Sequence, residues 1–363
     1  MKRILLPLLA MLIGLAAVAL LLEVALRFLP VNQVLGSLPV NQDNPVLRYK
    51  PNRELTWSDG PLFSIVNQVR INNQGFVNDQ DYVRDGDPLL AVIGDSFVEA
   101  LMAPYPETLQ GRLAQALSGA ARVYSFGRSG SPLSQYLAMA EYARDAYAPE
   151  RYLFVIVGND FDESLLKYKS ASGMHFFEKT DAGARLVRLD YTPGLLSTLA
   201  PHSRLLLYLL NNLKITQAAA MLKLRFGSGG QAPFAGNVAR TVDQERMEDS
   251  LWALDAFLDQ LPSATGVDPK RILLVVDGVR DALYSGDQSL ITDSFFGAMR
   301  RALLERARAL GFQVLDLQPV FAREYADQGR PFDFSTNGHW TGYGHGVVAR
   351  SVLSGPFLDG MRP

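Results

Sequence analysis

A chain of 363 residues, 48% hydrophobic and 20% charged, has material for one large domain or two small ones with proper cores. Its net charge of −2 offers nucleic acid no electrostatic footprint. The absence of cysteine excludes disulfides, thiolate metal sites and thiol catalysis, and four histidines, spread apart except for His339 and His345, argue against a metal site.

After Met1, Lys2 and Arg3 comes an uncharged run, ILLPLLAMLIGLAAVALLL, from Ile4 to Leu22, closed by Glu23. At helical rise it reaches about 28 Å, close to the hydrocarbon thickness of a bilayer. A run apolar on every face does not read as a core helix. No small-x-small cleavage site follows Leu22, which favours an uncleaved signal anchor over a cleaved signal peptide. Lys2 and Arg3 keep the N-terminus cytoplasmic and send the rest outward. The expectation is a single-pass protein of the cytoplasmic (inner) membrane, with an anchor over residues 1–23 and an extracytoplasmic, periplasmic remainder.

Residues 24–87 read as a tether and irregular preface rich in Asn, Pro and Asp. Within it, SIVNQVRINNQGFV alternates in part and suggests short strands with a turn at Asn72 to Gly75. Residues 88–363 read as the main domain. Leu89 to Ile93 is a short apolar strand ending on Gly94-Asp95-Ser96, followed by a helix over Pro106 to Leu117. Val123 to Phe126 is a second strand, with a helix over Leu133 to Tyr147, and Tyr152 to Val157 is a third, ending on Gly158-Asn159-Asp160. An insertion at about 161–236 then breaks the rhythm; it holds the helical stretch SRLLLYLLNNLKITQAAAMLKL and the loose GSGGQAPFAG. Alternation resumes with a helix over Gln244 to Leu261, a strand over Ile272 to Val276, a helix over Asp293 to Leu310 and a strand over Phe312 to Leu317. A last helix starts near Tyr343.

Short apolar strands alternating with helices predict a parallel sheet covered on both faces. In such sheets reactive groups collect after the carboxyl ends of strands. The polar singletons follow that rule: Ser96 after the first strand, Gly127 and Gly130 after the second, Asn159 after the third and His339 after the fifth. A serine nucleophile needs a base and donors for the tetrahedral oxyanion. Backbone N–H groups at Ser96 and Gly130 and the Asn159 amide fit as donors, although each alone reads equally as a cap or turn residue.

Taken in order, GDSF (Gly94 to Phe97), FGRSG (Phe126 to Gly130), GND (Gly158 to Asp160) and NGHW (Asn337 to Trp340) resemble the four blocks of the SGNH (GDSL-type) hydrolases. INNQGF and DLQPVF resemble the membrane-anchored bacterial branch of that superfamily. The resemblance implies a three-layer α/β/α sandwich with a five-stranded parallel sheet, flavodoxin-like in arrangement, preceded by the transmembrane helix. It implies Ser96 as nucleophile, Gly130 and Asn159 as oxyanion donors with the Ser96 N–H, and His339 as general base, with no cofactor and no metal.

One position departs from that pattern. Where the matching branch carries an aspartate two residues before the histidine, this chain has Asn337, and the position three before is Thr336. In serine proteases the same exchange costs about 10⁴ in turnover through the wrong histidine tautomer. Three repairs are open: Asp333 supplies the acid, a backbone carbonyl or the Asn337 oxygen holds the tautomer in a Ser–His dyad, or the site binds without turnover. Arg128 is a candidate for an anionic sugar or carboxylate, and Asp277 for substrate contact. Asp160 and Asp162 read as solvated loop acids, and His345 as a helix-start residue packed near Trp340.

The leading expectation is hydrolysis of acyl esters, O-acetyl above all, on an envelope or exported polysaccharide or another ester. The alternatives are an O-acetyltransferase working with a membrane acyl-donor protein, and a silent membrane-anchored glycan-binding or scaffolding protein.

Overall fold

A computed structural model describes residues 2–194, 197, 199–216 and 234–362. The chain falls into two compact units. The smaller takes residues 1–36, 54–69 and 193–232, the larger residues 37–53, 70–192 and 233–363, so the preface expected over 24–87 is shared between them.

The larger unit is built on a five-stranded parallel sheet of β3 (Leu89–Gly94), β4 (Arg122–Gly127), β5 (Arg151–Ile156), β8 (Ile272–Val276) and β9 (Gln313–Asp316). The strands lie in the order β4-β3-β5-β8-β9. β3 is buried along its whole length, as a strand covered on both faces must be. Its side chains alternate between two cores. Leu89, Ala91 and Ile93 pack with α4 (Leu133–Tyr147), α5 (Gln244–Thr265) and α6 (Phe295–Ala309). Leu90 and Val92 pack with α3 (Leu109–Ala116), α7 (Leu317–Gln328) and α8 (Gly342–Ser354). The α/β/α architecture expected from the sequence is therefore present.

Strand order reverses beside β3, because the chain steps from β3 to β4 on one side and returns to β5 on the other. Crevices at such a switch point open at the carboxyl ends of the strands. Register keeps those ends level, with Gly94 opposite Gly127. The preface residues 70–87 are not a loose approach to this sheet. Phe76 and Tyr82 enter its core, and the Tyr82 hydroxyl donates to the Ser125 carbonyl at 2.7 Å.

Three elements went unread in the sequence. An antiparallel hairpin, β6 (His175–Thr180) with β7 (Gly183–Arg188), occupies the first half of the expected insertion. α7 follows β9 directly, capped by Asp316 and stopped by Gly329, so His339 comes after a helix rather than straight after the fifth strand. β1 (Arg53–Asp59) is the third; it pairs in a separate two-stranded sheet with β2 (Ile65–Ile71), which lies where short strands were expected. Of the predicted helical stretch from Ser203, residues 204–212 are helical, while 217–224 and most of GSGGQAPFAG lie outside the described residues.

In the smaller unit, α1 (Lys2–Leu26) carries the apolar run. Its segment Leu5–Leu26 is long and apolar enough to cross a membrane.

Candidate active site

The serine sits where a strand hands over to a helix. Ser96 opens α2 (Ser96–Glu99), and Asp95 caps that turn by accepting the Phe97 N–H at 2.9 Å. Burial pushes the Asp95 carboxyl up to about 6. The end of β4 passes so close beneath α2 that a Cβ on Gly127 would meet the Glu99 nitrogen at 2.3 Å, which leaves glycine as the residue that fits. The chain then turns through Gly130 with φ of +75°, a conformation that favours glycine.

His339 is held at the tip of a tight loop between α7 and α8. The His339 carbonyl accepts the Phe334 N–H at 3.0 Å, and Asp333 and Trp340 form an antiparallel bridge at the neck of the loop. The imidazole Nε2 lies 2.7 Å from Ser96 Oγ. Nδ1 lies 3.0 Å from the main-chain oxygen of Asn337, while the Asn337 side-chain oxygen accepts the His339 backbone N–H at 3.2 Å. A carbonyl only accepts, so it selects the tautomer with the proton on Nδ1 and leaves the Nε2 lone pair facing the serine. Ser96 Oγ also lies 3.2 Å from Asp95 Oδ2, but a hydroxyl has one proton to give, and the histidine is the nearer acceptor.

Asp333, the acid suggested by the sequence, is engaged by Arg280 and by the Tyr284 hydroxyl, the latter at 2.8 Å. Arg280 also pairs with Asp277 at 3.1 Å, so one guanidinium joins two carboxylates. Burial raises the Asp277 carboxyl, and the Arg280 charge opposes it. Asp277, Arg280 and Asp333 all line the same cavity as Ser96 and His339, about 450 Å³ in volume, which also has Phe97, Val238 and Phe296 in its walls.

Gly130 and Asn159 line that cavity too. They are tied together by residues that carry no motif. Lys169 donates to the Gly130 carbonyl at 2.7 Å and forms an ion pair with Glu163; Glu163 in turn accepts from Asn159 Nδ2 at 3.1 Å. Asn237 completes the arrangement from the far end of the insertion. Its Nδ2 donates to Asn159 Oδ1 at 2.5 Å, and its Oδ1 accepts the Asn159 N–H at 3.1 Å. With oxygen and nitrogen each bound to a complementary partner, the Asn159 amide cannot flip without breaking two bonds.

Several expectations need correction. Arg128 does not line the cavity; its guanidinium stacks 4.1 Å over the Tyr49 ring and pairs with Glu99 at 3.1 Å, which consumes the charge expected to face substrate. Glu99 was missed by the sequence reading. It is buried, and its second oxygen accepts the Ser129 N–H at 3.1 Å as well as the Ser129 hydroxyl. Burial moves both partners towards neutrality, Glu99 up to about 8 and Arg128 down to about 10. Asp160 and Asp162 are not solvated loop acids but buried ones. Asp160 accepts the Val157 N–H and the Tyr136 hydroxyl and so braces the loop that carries Asn159. His345 packs edge-on to Trp340 and accepts the Leu109 N–H, as a structural helix residue. Among the described residues no group of His, Asp and Glu is arranged to hold a metal ion.

No protein-family model matches this sequence, and no curated protein matches it. Solved structures similar to it include esterases and lipases. An acetylxylan esterase from Geobacillus stearothermophilus, solved as a catalytic mutant, is 14% identical over 77% of this chain and 96% of its own, with a TM-score of 0.41. A member of the lipolytic G-D-S-L family from Veillonella parvula is 11% identical over 73% and 96%, with a TM-score of 0.36. A two-domain esterase active on acetylated mannans is 11% identical over 76% of this chain and 51% of its own, with a TM-score of 0.39. At such values the chemistry has to be read from this chain's own side chains.

Proposed function

We propose that this protein is a serine-dependent ester hydrolase of SGNH type, acting on acyl esters and above all on O-acetyl groups. The observation that carries the proposal is the 2.7 Å approach of His339 Nε2 to Ser96 Oγ at the wall of a cavity shared with Gly130 and Asn159. Ser96 Oγ attacks the acyl carbon as its proton passes to Nε2. The oxygen of the tetrahedral intermediate is taken by the N–H groups of Ser96 and Gly130 and by Asn159 Nδ2, one of whose two hydrogens Glu163 does not use. The imidazolium returns the proton to the departing alkoxide oxygen, which leaves an acyl-serine. Water then enters, giving its proton to Nε2, and the second intermediate collapses to the free acid and Ser96.

The main-chain carbonyl of Asn337 takes the orienting part of the acid's role by fixing the tautomer. It carries only a partial charge, so the imidazolium is stabilised less than by a carboxylate. The Asp277–Arg280–Asp333 cluster adds two carboxyl groups and one guanidinium to the same cavity. A lining that combines polar groups at Asp277, Arg280 and Asn337 with apolar ones at Phe97, Val238 and Phe296 suits a small acyl group carried on a hydroxylated residue, as in an acetylated exported polysaccharide. The domain order supports action outside the cytoplasmic membrane, with residues 1–23 as anchor.

An active-site-directed fluorophosphonate tests this. Labelling of the native chain that vanishes in Ser96→Ala is expected. Folded native chain that takes up no label would remove every reading with an activated serine.

A further inference from the structure

The last turn of α1 is built into the smaller unit. The Glu23 carboxylate accepts hydrogen bonds from the Ser203 hydroxyl at 2.9 Å, the Arg204 N–H at 3.1 Å and the Leu205 N–H at 2.9 Å. Arg27, one turn further along, donates to it at 3.3 Å. Leu26 is buried in a small core with Val31, Ala200 and Leu207. Cleavage beyond Leu26 would strip that unit of a helix cap and a core side chain. The contacts therefore favour a mature chain that keeps residues 23–26, the last turn of α1.

They also fix a depth. Glu23 and Arg27 lie about 6 Å apart along the helix axis, so residues 203–205 are held at the level where the apolar span ends. A carboxylate at that level is costly unless its oxygens are occupied, and here they are. Phe28, next to Arg27, is 85% exposed, and Leu62, whose neighbour Phe63 packs against the Leu26 core, is 88% exposed. Leu62 stands on the turn between β1 and β2, which Tyr208 secures by donating to the Pro61 carbonyl at 2.9 Å. In the same unit Arg27, His202 and Arg204 line a cavity of about 470 Å³. Exposed apolar side chains beside cations at the end of a span have the composition of a membrane interface.

We propose that the smaller unit is a foot seated on the bilayer surface. Phe28 and Leu62 enter the acyl boundary, and the cavity of Arg27, His202 and Arg204 takes the phosphate of an anionic lipid headgroup. The occupant is the bilayer because Arg27, which lines the cavity, and Phe28 follow directly on the apolar span of α1. The inference rests on reading α1 as a membrane span and is independent of the ester chemistry.

The test uses the full chain in nanodiscs of phosphatidylcholine with a minority of phosphatidylglycerol. Phosphatidylglycerol retained through detergent exchange is expected to fall about tenfold in Arg27→Gln/Arg204→Gln, and much less in Lys2→Gln/Arg3→Gln at the other end of the helix. Equal retention by the native chain and the Arg27→Gln/Arg204→Gln variant overturns the headgroup site. Because the chain has no cysteine, Leu62→Cys gives a unique position for a nitroxide. That label should collide with oxygen more than with a water-soluble nickel chelate; the reverse order overturns the seat. A mature chain recovered from cells without residues 1–26 overturns the span and the foot together. Circular dichroism reports the folding of each variant and fluorophosphonate labelling is read separately, so a failed ester assignment and a failed foot remain distinguishable.

Discussion

The two flanks of the Ser96–His339 couple are built by different means. On the flank proposed to hold the oxyanion, Gly130 and Asn159 are held by the side chains of Lys169, Glu163 and Asn237, which lie within or just beyond the expected insertion. On the flank of the proposed base, His339 meets main chain from only two residues away. The first arrangement depends on side chains brought together from distant parts of the sequence, and any of them can be lost by one substitution. The second survives every side-chain exchange at position 337 that keeps the loop. Substitutions on the two flanks should therefore differ in kind.

The largest effect is expected at the donor itself. Asn159→Ala should lower kcat by about 10² to 10³, the usual cost of one oxyanion donor, in steady-state hydrolysis of a simple acetyl ester. The tie behind it should matter less. Lys169→Met or Glu163→Gln should cost about tenfold to a hundredfold in kcat by letting the donors drift, with KM moving less. Equal changes in kcat and KM there would mean that the ion pair shapes substrate binding instead.

On the base flank, Asn337→Ala removes one partly exposed hydrogen bond and should cost about fivefold or less. Paired with it, Asp333→Ala separates the two accounts of the missing acid. If it collapses kcat at unchanged KM while Asn337→Ala is mild, the acid role passes to Asp333. If it mainly lowers the melting temperature, Asp333 serves the Arg280 cluster, where removing a partner leaves a buried charge less well matched.

The smallest effect concerns stability beneath the Gly130 turn. Burial lifts Glu99 to about 8 from an ordinary 4.5, so the folded chain keeps a proton there that the unfolded chain releases. Between those values stability falls as pH rises. Melting temperatures taken from about pH 5 to about pH 8 should drop further for the native chain than for Glu99→Gln. Parallel curves would show that the Arg128 charge already holds Glu99 ionised.

The central sheet was legible because strands buried on both faces read as unbroken apolar runs, such as LLAVI and YLFVI. The motif residues were legible because each follows a strand or lies in a loop at the site's end of the sheet. α7 was readable in principle, from Asp316 as cap, Pro319 in the first turn and Gly329 as stop. The insertion resisted for a different reason. Lys169, Glu163 and Asn237 are ordinary polar residues whose significance lies in tertiary contacts, and no local spacing announces those. Glu99 left one faint signal, a lone charge inside the apolar stretch FVEALMA.

The atom 3.0 Å from His339 Nδ1 is a peptide oxygen, a group that all twenty residue types carry. A motif filter demanding an aspartate ahead of the histidine would discard this chain, and it would do so by reading the one part of residue 337 that does not face the ring. On the proposed mechanism, surveys that grade such chains as active or inactive by that letter score the wrong half of the residue, and main-chain geometry is the quantity to compare.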